Sequence, residues 1–171
     1  MAQRVYCNVE KYRMIDNGRE CEDVTKIGLP TISHPTTTIK SAGMVMDVDM
    51  PDKTHLNAMD FTVYHNNGTN CRYLAEPDKH VMECRAARQR YETTKGETGH
   101  ESVKYRVTGL HVETQKGDIE TGNPYGSTEK YSVLRYEEEI DGKPWIIIDA
   151  AAGILRWNGK DVGSEVDNLL K

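Results

Sequence analysis

A mostly β, single-domain chain is what this sequence predicts: a barrel or sandwich of antiparallel strands with one or two short α-helices and a long extended hairpin. Three observations carry that reading. Apolar residues recur at every second position along much of the 171 residues, the period of a half-buried strand. Asn-Gly or Asp-Gly pairs stand at 17–18, 141–142 and 158–159, and such pairs tolerate the positive φ of tight turns. No internal repeat, low-complexity tract or linker divides the chain. Residues 1–171 therefore read as one domain, long enough to build a core.

The elements follow in order. Val5, Cys7 and Val9 alternate with Arg4, Tyr6 and Asn8, a half-buried strand that "DNG" at 16–18 turns back. "TKIGLPTI" carries a short strand into Gly28 and Pro30, and the β-branched "TTTIK" at 36–40 suits another. From 42 onward an extended chain would place Met44, Met46, Val48 and Met50 on one side and Val45, Asp47 and Asp49 on the other. After a break at Pro51, Met59, Phe61 and Val63 resume the apolar file, with Asp60, Thr62 and Tyr64 opposite. Residues 42–66 thus read as a long hairpin around the polar tip "PDKT", which holds Asp52 and Lys53.

Thr69 or Asn70 is expected to cap one or two helical turns, which Pro77 closes by disfavouring helical geometry at Glu76. Residues 78–99 stay open on pattern alone. Met82, Ala86, Ala87 and Gln89 lean helical, whereas Met82, Cys84 and Ala86 alternate against Val81, Glu83 and Arg85 as in a strand. "ESVKYRVTGLHVET" is a strand with Val103, Tyr105 and Val107 inward, and 114–128 is a polar loop expected to be mobile. "TEKYSVLRYEEEI", Asp141-Gly142 and "KPWIIID" make a hairpin whose return strand is apolar on both faces, as in a packed interior or a subunit joint. Residues 164–171 close the chain as a tail or short helix, with Ser164 and Asp167 spaced like a capping box and Val166, Leu169 and Leu170 on its apolar side.

Composition narrows function. The net charge is −5, the wrong sign for a tight grip on DNA phosphates, though compatible with DNA that slides past. No stretch approaches the roughly 20 apolar residues that cross a bilayer. The first residues, "MAQRVYCNVEKYRM", lack a signal-peptide apolar region, so cytosolic synthesis is expected. Cys7, Cys21, Cys71 and Cys84 form no C-x-x-C pair and read as free buried thiols. Nine tyrosines against one phenylalanine suit either wet contacts between subunits or ordinary sheet faces.

Chemistry has no foothold. The six histidines are dispersed, with no H-x-H or H-E-x-x-H to start a metal site. Nucleophile elbow, Walker loop and dinucleotide fingerprint are all missing. His80 and Cys84 would share a strand face two pleats apart, a polar His beside a packed Cys. Glu137 and Glu139 share a face with Glu138 opposite, which reads as a solvated acidic strand. Arg85, Arg88, Arg90 and Lys95 lack the interleaved aromatics of a stacking platform. No catalytic residue, metal or cofactor is expected.

The order of these segments resembles the major tail tube protein of contractile-tailed bacteriophages and related phage-tail-like particles. "IGLPTI", "SAGMVMDVDM", "HLNAMDFTVY", the region 69–76, "VTGLHVETQKGDIETG" and "YEEEIDGKPWIIID" carry the likeness over about residues 20–165. "GNPYGS" and "TNCRYLAEP" look shorter and less helical than the family pattern. The resemblance implies a small β-barrel or sandwich, a strand at 78–99, and six copies in rings that stack into a DNA conduit. It implies as partners other copies of the chain, sheath, tape-measure and baseplate proteins, with DNA in non-sticking transit and no membrane insertion. The setting it implies is a virion assembled in the bacterial cytoplasm.

On that reading Met44, Met46, Val48, Met50, Asp52, Lys53, Met59, Phe61 and Val63 are candidate contacts between subunits or rings. Asp47, Asp49, Glu137 and Glu139 are candidate lumen acids, since an acidic wall repels phosphates. A tube without DNA cargo, in a bacteriocin or injection particle, is the alternative; a small-ligand β-barrel is a more remote one.

Overall fold

The computed structural model describes residues 4–170, except the side chains of residues 165 and 167. The expected Asp167 capping contact lies outside that set. The elements are β1 (Arg4–Asp16), β2 (Arg19–Cys21), β3 (Val24–Gly28), β4 (Thr36–Ile39), β5 (Val48–Pro51), β6 (Asp60–His65), a 3-10 segment (Thr69–Ala75), β7 (Lys79–Glu92), β8 (Glu97–Lys116), β9 (Ser127–Ile140), β10 (Lys143–Asp149), β11 (Ile154–Trp157), β12 (Lys160–Asp161) and the short helix α1 (Ser164–Leu169). Among the described residues ten strands make one antiparallel sheet, and β4 and β5 pair only with each other. The fold is mostly β and sandwich-like, as the alternation predicts.

β9 organises the sheet. One edge pairs with β8 along nearly its whole length. The other edge is shared: Ser127–Ser132 pair with β6, and Arg135–Ile140 pair with β10. The changeover is bridged by Val133 N–H to Met59 C=O, 2.9 Å, and Ala150 N–H to Leu134 C=O, 3.0 Å. This switch folds β6 and its partner β3 over the inner face of β1, β7 and β8. Phe61, Val63, Met14, Met82, Val107, Tyr131 and Tyr136 fill the space between. Gly109 sits at a register shift in β8, where an added Cβ would lie 3.1 Å from both the Ser132 carbonyl oxygen and Tyr131 Cβ. Only a glycine lets β8 press that closely on β9.

The turns obey their residues. Asn17 and Gly18 (φ 47° and 81°), Asp141 and Gly142 (47° and 78°), and Asn158 and Gly159 (48° and 76°) all take left-handed backbone, the two-residue hairpin geometry whose twist matches the flanking strands. The segment open on pattern is a strand, β7, because each residue from Lys79 to Glu92 pairs with β8; sheet context overrides its helix propensity.

Several expectations need correction. Residues 42–47 are not strand: β5 begins only at Val48. The hairpin runs from Thr36 to Pro51, with β4 as the partner of β5. The strand holding Phe61 belongs to the main sheet, so 42–66 is not one hairpin. The polar loop is shorter than 114–128, because β8 runs to Lys116 and β9 starts at Ser127. The 3-10 segment is capped by Gly68, not by Thr69 or Asn70, and no side chain caps it. Gly68 N–H instead donates to Asp23 Oδ2 at 2.6 Å. Pro77 has its expected effect, with Glu76 extended.

Candidate assembly surface

The β4–β5 hairpin has no core of its own. Every residue from Thr36 to Pro51 is exposed except Val48, which is half-buried. Its apolar members are Ile39, Met44, Val45, Met46 and Met50, with Met46 73% and Val45 103% exposed. Such a cluster on a two-stranded ribbon gains nothing by standing in water, and isolated ribbons are marginally stable. Short polar bonds stiffen it: Thr38 Oγ1–H donates to Asp49 Oδ1 at 2.7 Å, and Lys40 Nζ meets Asp47 Oδ2 at 3.1 Å.

The base of the hairpin is tied down. Asp52 N–H donates to Pro35 C=O at 2.8 Å and Asn57 N–H to Ser33 C=O at 2.9 Å. His34 Nδ1 lies 2.9 Å from the carbonyl oxygens of both Asp52 and His55. Asp52 closes the turn by accepting the Thr54 hydroxyl at 2.8 Å and its N–H at 3.0 Å. Those bonds from Thr54, side chain first, hold the Asp52 carboxyl below its ordinary range. The hairpin is thus fixed where it leaves the domain and bare beyond.

Met44, Met46, Val48 and Met50 lie together on this projection, with Asp52 and Lys53 at its base. Met59, Phe61 and Val63 do not join them. They are 7%, 0% and 0% exposed, packed inside the chain where no neighbour can reach, against Met14, Met82 and Val107 of the facing strands.

A second bare region was not foreseen. The alternation in β1 reads as half-buried, yet residues 4–13 are exposed on both faces. Between β1 and β3, with β7 and β8 as its floor, runs a groove of about 420 Å³ lined by Val9, Tyr12, Ile27, Leu29, Ala86 and Val103 among others. Among the described residues β3 pairs only with β6, and β1 from Arg4 to Arg13 pairs only with β7. Two strand edges therefore flank an apolar trough, bridged by Tyr12 O–H donating to Val24 C=O at 2.9 Å. Open edges invite another strand. Alternation cannot reveal this, since it reports which residues share a face and not whether a layer covers that face.

Charge is balanced on the opposite face. Arg106 reaches Glu83 at 3.2 Å, Glu137 at 3.4 Å and Glu139 at 3.5 Å. Lys104 pairs with Glu139 at 3.0 Å, Arg135 with Asp149 at 3.1 Å and also with Glu137. The cross-strand register places these groups side by side, each cation opposite an acid. Glu137 and Glu139 are therefore neutralised members of a ladder, and Asp47 and Asp49 sit apart from them on the hairpin. The arginines of β7 are answered too: Arg85 by Glu83, Arg88 by the buried Glu101, Arg90 by Asp141 at 3.7 Å.

The thiols split. Cys21, Cys71 and Cys84 are buried, but Cys7 is exposed, contrary to expectation. Burial pushes Cys21 and Cys84 up to about 11, so both stay protonated and unreactive. No group of three or more His, Cys, Asp or Glu among the described residues is arranged to hold a metal ion.

The comparisons fit this architecture. No curated protein matches the chain in sequence. Among the solved structures that share the fold are the following two. One is the sheath–tube complex of an extracellular contractile injection system (PVC) in its extended state, at 8% identity and TM-score 0.53, covering 77% of this chain and 90% of that one. The other is the tube-terminating cap of the anti-feeding prophage, at 11% identity and TM-score 0.53, covering 79% and 93%. The family model for phage tail tube protein FII matches residues 9–170. The chain is a member of the phage tail tube protein FII family.

Proposed function

We propose that six copies of this chain form a ring, that rings stack into the inner tube of a contractile tail, and that the tube is the passage for a genome on its way into a host cell. The family is structural, not enzymatic, so the work lies in assembly. The observation that carries the reading is the Thr36–Pro51 hairpin, anchored at its base and bare on its apolar surface. Methionine is the right residue for such a surface, being unbranched and able to fit an irregular neighbour. The open edges of β1 and β3 offer a second place for a neighbouring copy, as rings and barrels remove edges by closure.

Passage of DNA needs a wall that does not hold it. Among the described residues the arginines of the β7–β10 face are each paired with carboxylates, so no bare basic row is offered to phosphates. Of the four acids considered for the lumen, Asp47 and Asp49 remain exposed, Asp47 beside Lys40, while Glu137 and Glu139 contribute little net field. Sheath, baseplate, tape-measure and cap proteins are the further partners this role requires, and the virion or particle is its location. A second reading keeps the tube and drops the DNA; the shared fold with a chain of an injection-system sheath–tube complex favours it.

Electron microscopy of purified protein at high concentration tests the assembly. Hollow rings or tubes are expected, and their loss in the double variant Met44→Asp, Met46→Asp. A monomer that persists at every concentration would overturn the proposal.

A further inference from the structure

Two buried histidine–carboxylate pairs lie in the core, and their hydrogen-bond geometry demands different numbers of protons. His65 Nδ1 accepts Asn67 N–H at 3.1 Å, which leaves Nε2–H to donate to Glu129 Oε1 at 3.3 Å. A neutral imidazole satisfies both contacts. His80 differs, because both its nitrogens face acceptors: Asp16 Oδ2 at 2.7 Å from Nδ1, and the Glu76 carbonyl oxygen at 2.9 Å from Nε2. A carbonyl oxygen has no proton to give. A neutral ring therefore donates to one partner and turns a lone pair on the other, in a site where His80 is 1% and Asp16 0% exposed.

We infer that the Asp16–His80 contact holds one proton more than a carboxylate beside a neutral imidazole, and that this proton latches the exit of the 3-10 segment onto the end of β1. The proton satisfies the geometry whether it rides on the ring or on the carboxyl, since a donor then lies in each of the two bonds. Asp16 Oδ1 has no hydrogen-bond partner, a smaller penalty for a neutral acid than for a carboxylate. Burial pushes the Asp16 carboxyl above its ordinary range, with the raising effect of Glu76 added, against the pull of His80 and Arg19.

The groups that face the pair come from every neighbouring element. Glu76 and Tyr73 stand on the 3-10 segment and its exit, and Arg19 and Cys21 on β2. Tyr131 on β9 has its ring 5.0 Å from His80, and His111 on β8 has its ring at 6.5 Å. Tyr131 O–H donates to Leu74 C=O at 2.6 Å, so the end of the 3-10 segment hangs from two buried side chains, Tyr131 and His80. Loss of the proton releases one of them.

The sign follows from linkage. Unfolded, Asp16 and His80 together keep one proton up to the ordinary imidazole value of about 6.5, so the folded pair binds one proton more only above that pH, and its contribution is lost as pH rises from there through the folded pair's own value. Where the folded chain binds one proton more, the unfolding equilibrium constant grows tenfold per pH unit.

The test uses the full ¹⁵N-labelled chain in dilute solution at about pH 7.5, above the ordinary values of both a carboxyl and an imidazole. We expect a proton on His80 Nε2 together with a slowly exchanging low-field proton in the Asp16–His80 bond, while His65 shows one proton, on Nε2. A single proton at the His80 site would overturn the inference. Asp16→Asn places a neutral N–H donor opposite Nδ1, satisfying the site without the extra proton. We expect its unfolding constant to lack the wild-type steepening with pH. Equal pH dependence in the two proteins would also refute the latch. Should the variant fail to fold, the wild-type spectrum still decides.

Discussion

Around Tyr131 the chain satisfies itself; along Thr36–Pro51 it does not. In the first region Tyr131, Phe61, Val63 and Leu74 are fully buried, and Glu129, also fully buried, accepts bonds from His65, His111, Ser127 and Thr114. In the second, Met44, Met46 and Met50 stand in water on a ribbon whose only stitching is polar. The same chain thus holds a finished half and an unfinished one. On the proposed function stability belongs to the first and assembly to the second, and substitutions should separate them.

The largest contrast is between two apolar truncations. Phe61→Ala should cost about 4 kcal/mol of folding stability by leaving a cavity under β9. Met46→Ala should stay within about 0.5 kcal/mol in the unassembled chain, yet weaken tube formation. Chemical denaturation at low concentration, with sedimentation at high concentration, reads both effects. Equal costs to folding would erase the distinction.

Glu129 gives the next effect. Burial pushes its carboxyl up, but the bonds from His65, Thr114, His111 and Ser127 together outweigh that and bring it down to about 2. A depressed carboxyl stabilises the fold above its unfolded value of about 4.3. That contribution should therefore disappear as pH falls from about 4.5 toward 2. Glu129→Gln should cost about 3 kcal/mol at neutral pH and flatten this acid limb, measured by urea unfolding across the range. A variant with the wild-type acid profile would place the titration elsewhere.

Gly109→Ala comes third. A Cβ 3.1 Å from backbone has little room to give, and overpacking of this kind costs about 1–3 kcal/mol; thermal unfolding would show it. The charge ladder should matter least. Arg106→Gln should cost under about 1 kcal/mol, falling with added salt, because Arg106 is 45% exposed at its side chain.

How far the sequence foretold this differs by region for physical reasons. Asn17-Gly18, Asp141-Gly142 and Asn158-Gly159 were legible because their turns depend on two residues alone. β7 stayed open on pattern, since Ala86, Ala87 and Gln89 carry helix propensity; the family resemblance implied the strand, and pairing with β8 is what forms it. The methionine file was half legible. Its residues do lie together on a projecting hairpin, but the strand stops short of Met46, and β4 rather than β6 is the partner. Phe61 and Val63 look like the same file in sequence and prove to be core, because packing against Met14 of β1, Met82 of β7 and Val107 of β8 is a long-range fact. Glu137 and Glu139 read as free acids since Arg106 and Lys104, about 30 residues earlier in the chain, become neighbours only through register. The His65, His80 and Asp16 pairs left no local trace: each histidine stands 64 residues from its acid.

Hydrogen–deuterium exchange compared between unassembled chain and purified tubes measures the division most directly. We expect the amides of β6, β8 and β9 to be protected in both, and those of residues 36–51 to exchange quickly in the free chain and slowly in the tube. Equal protection of 36–51 in the two states would contradict the claim that other copies complete what this chain leaves open.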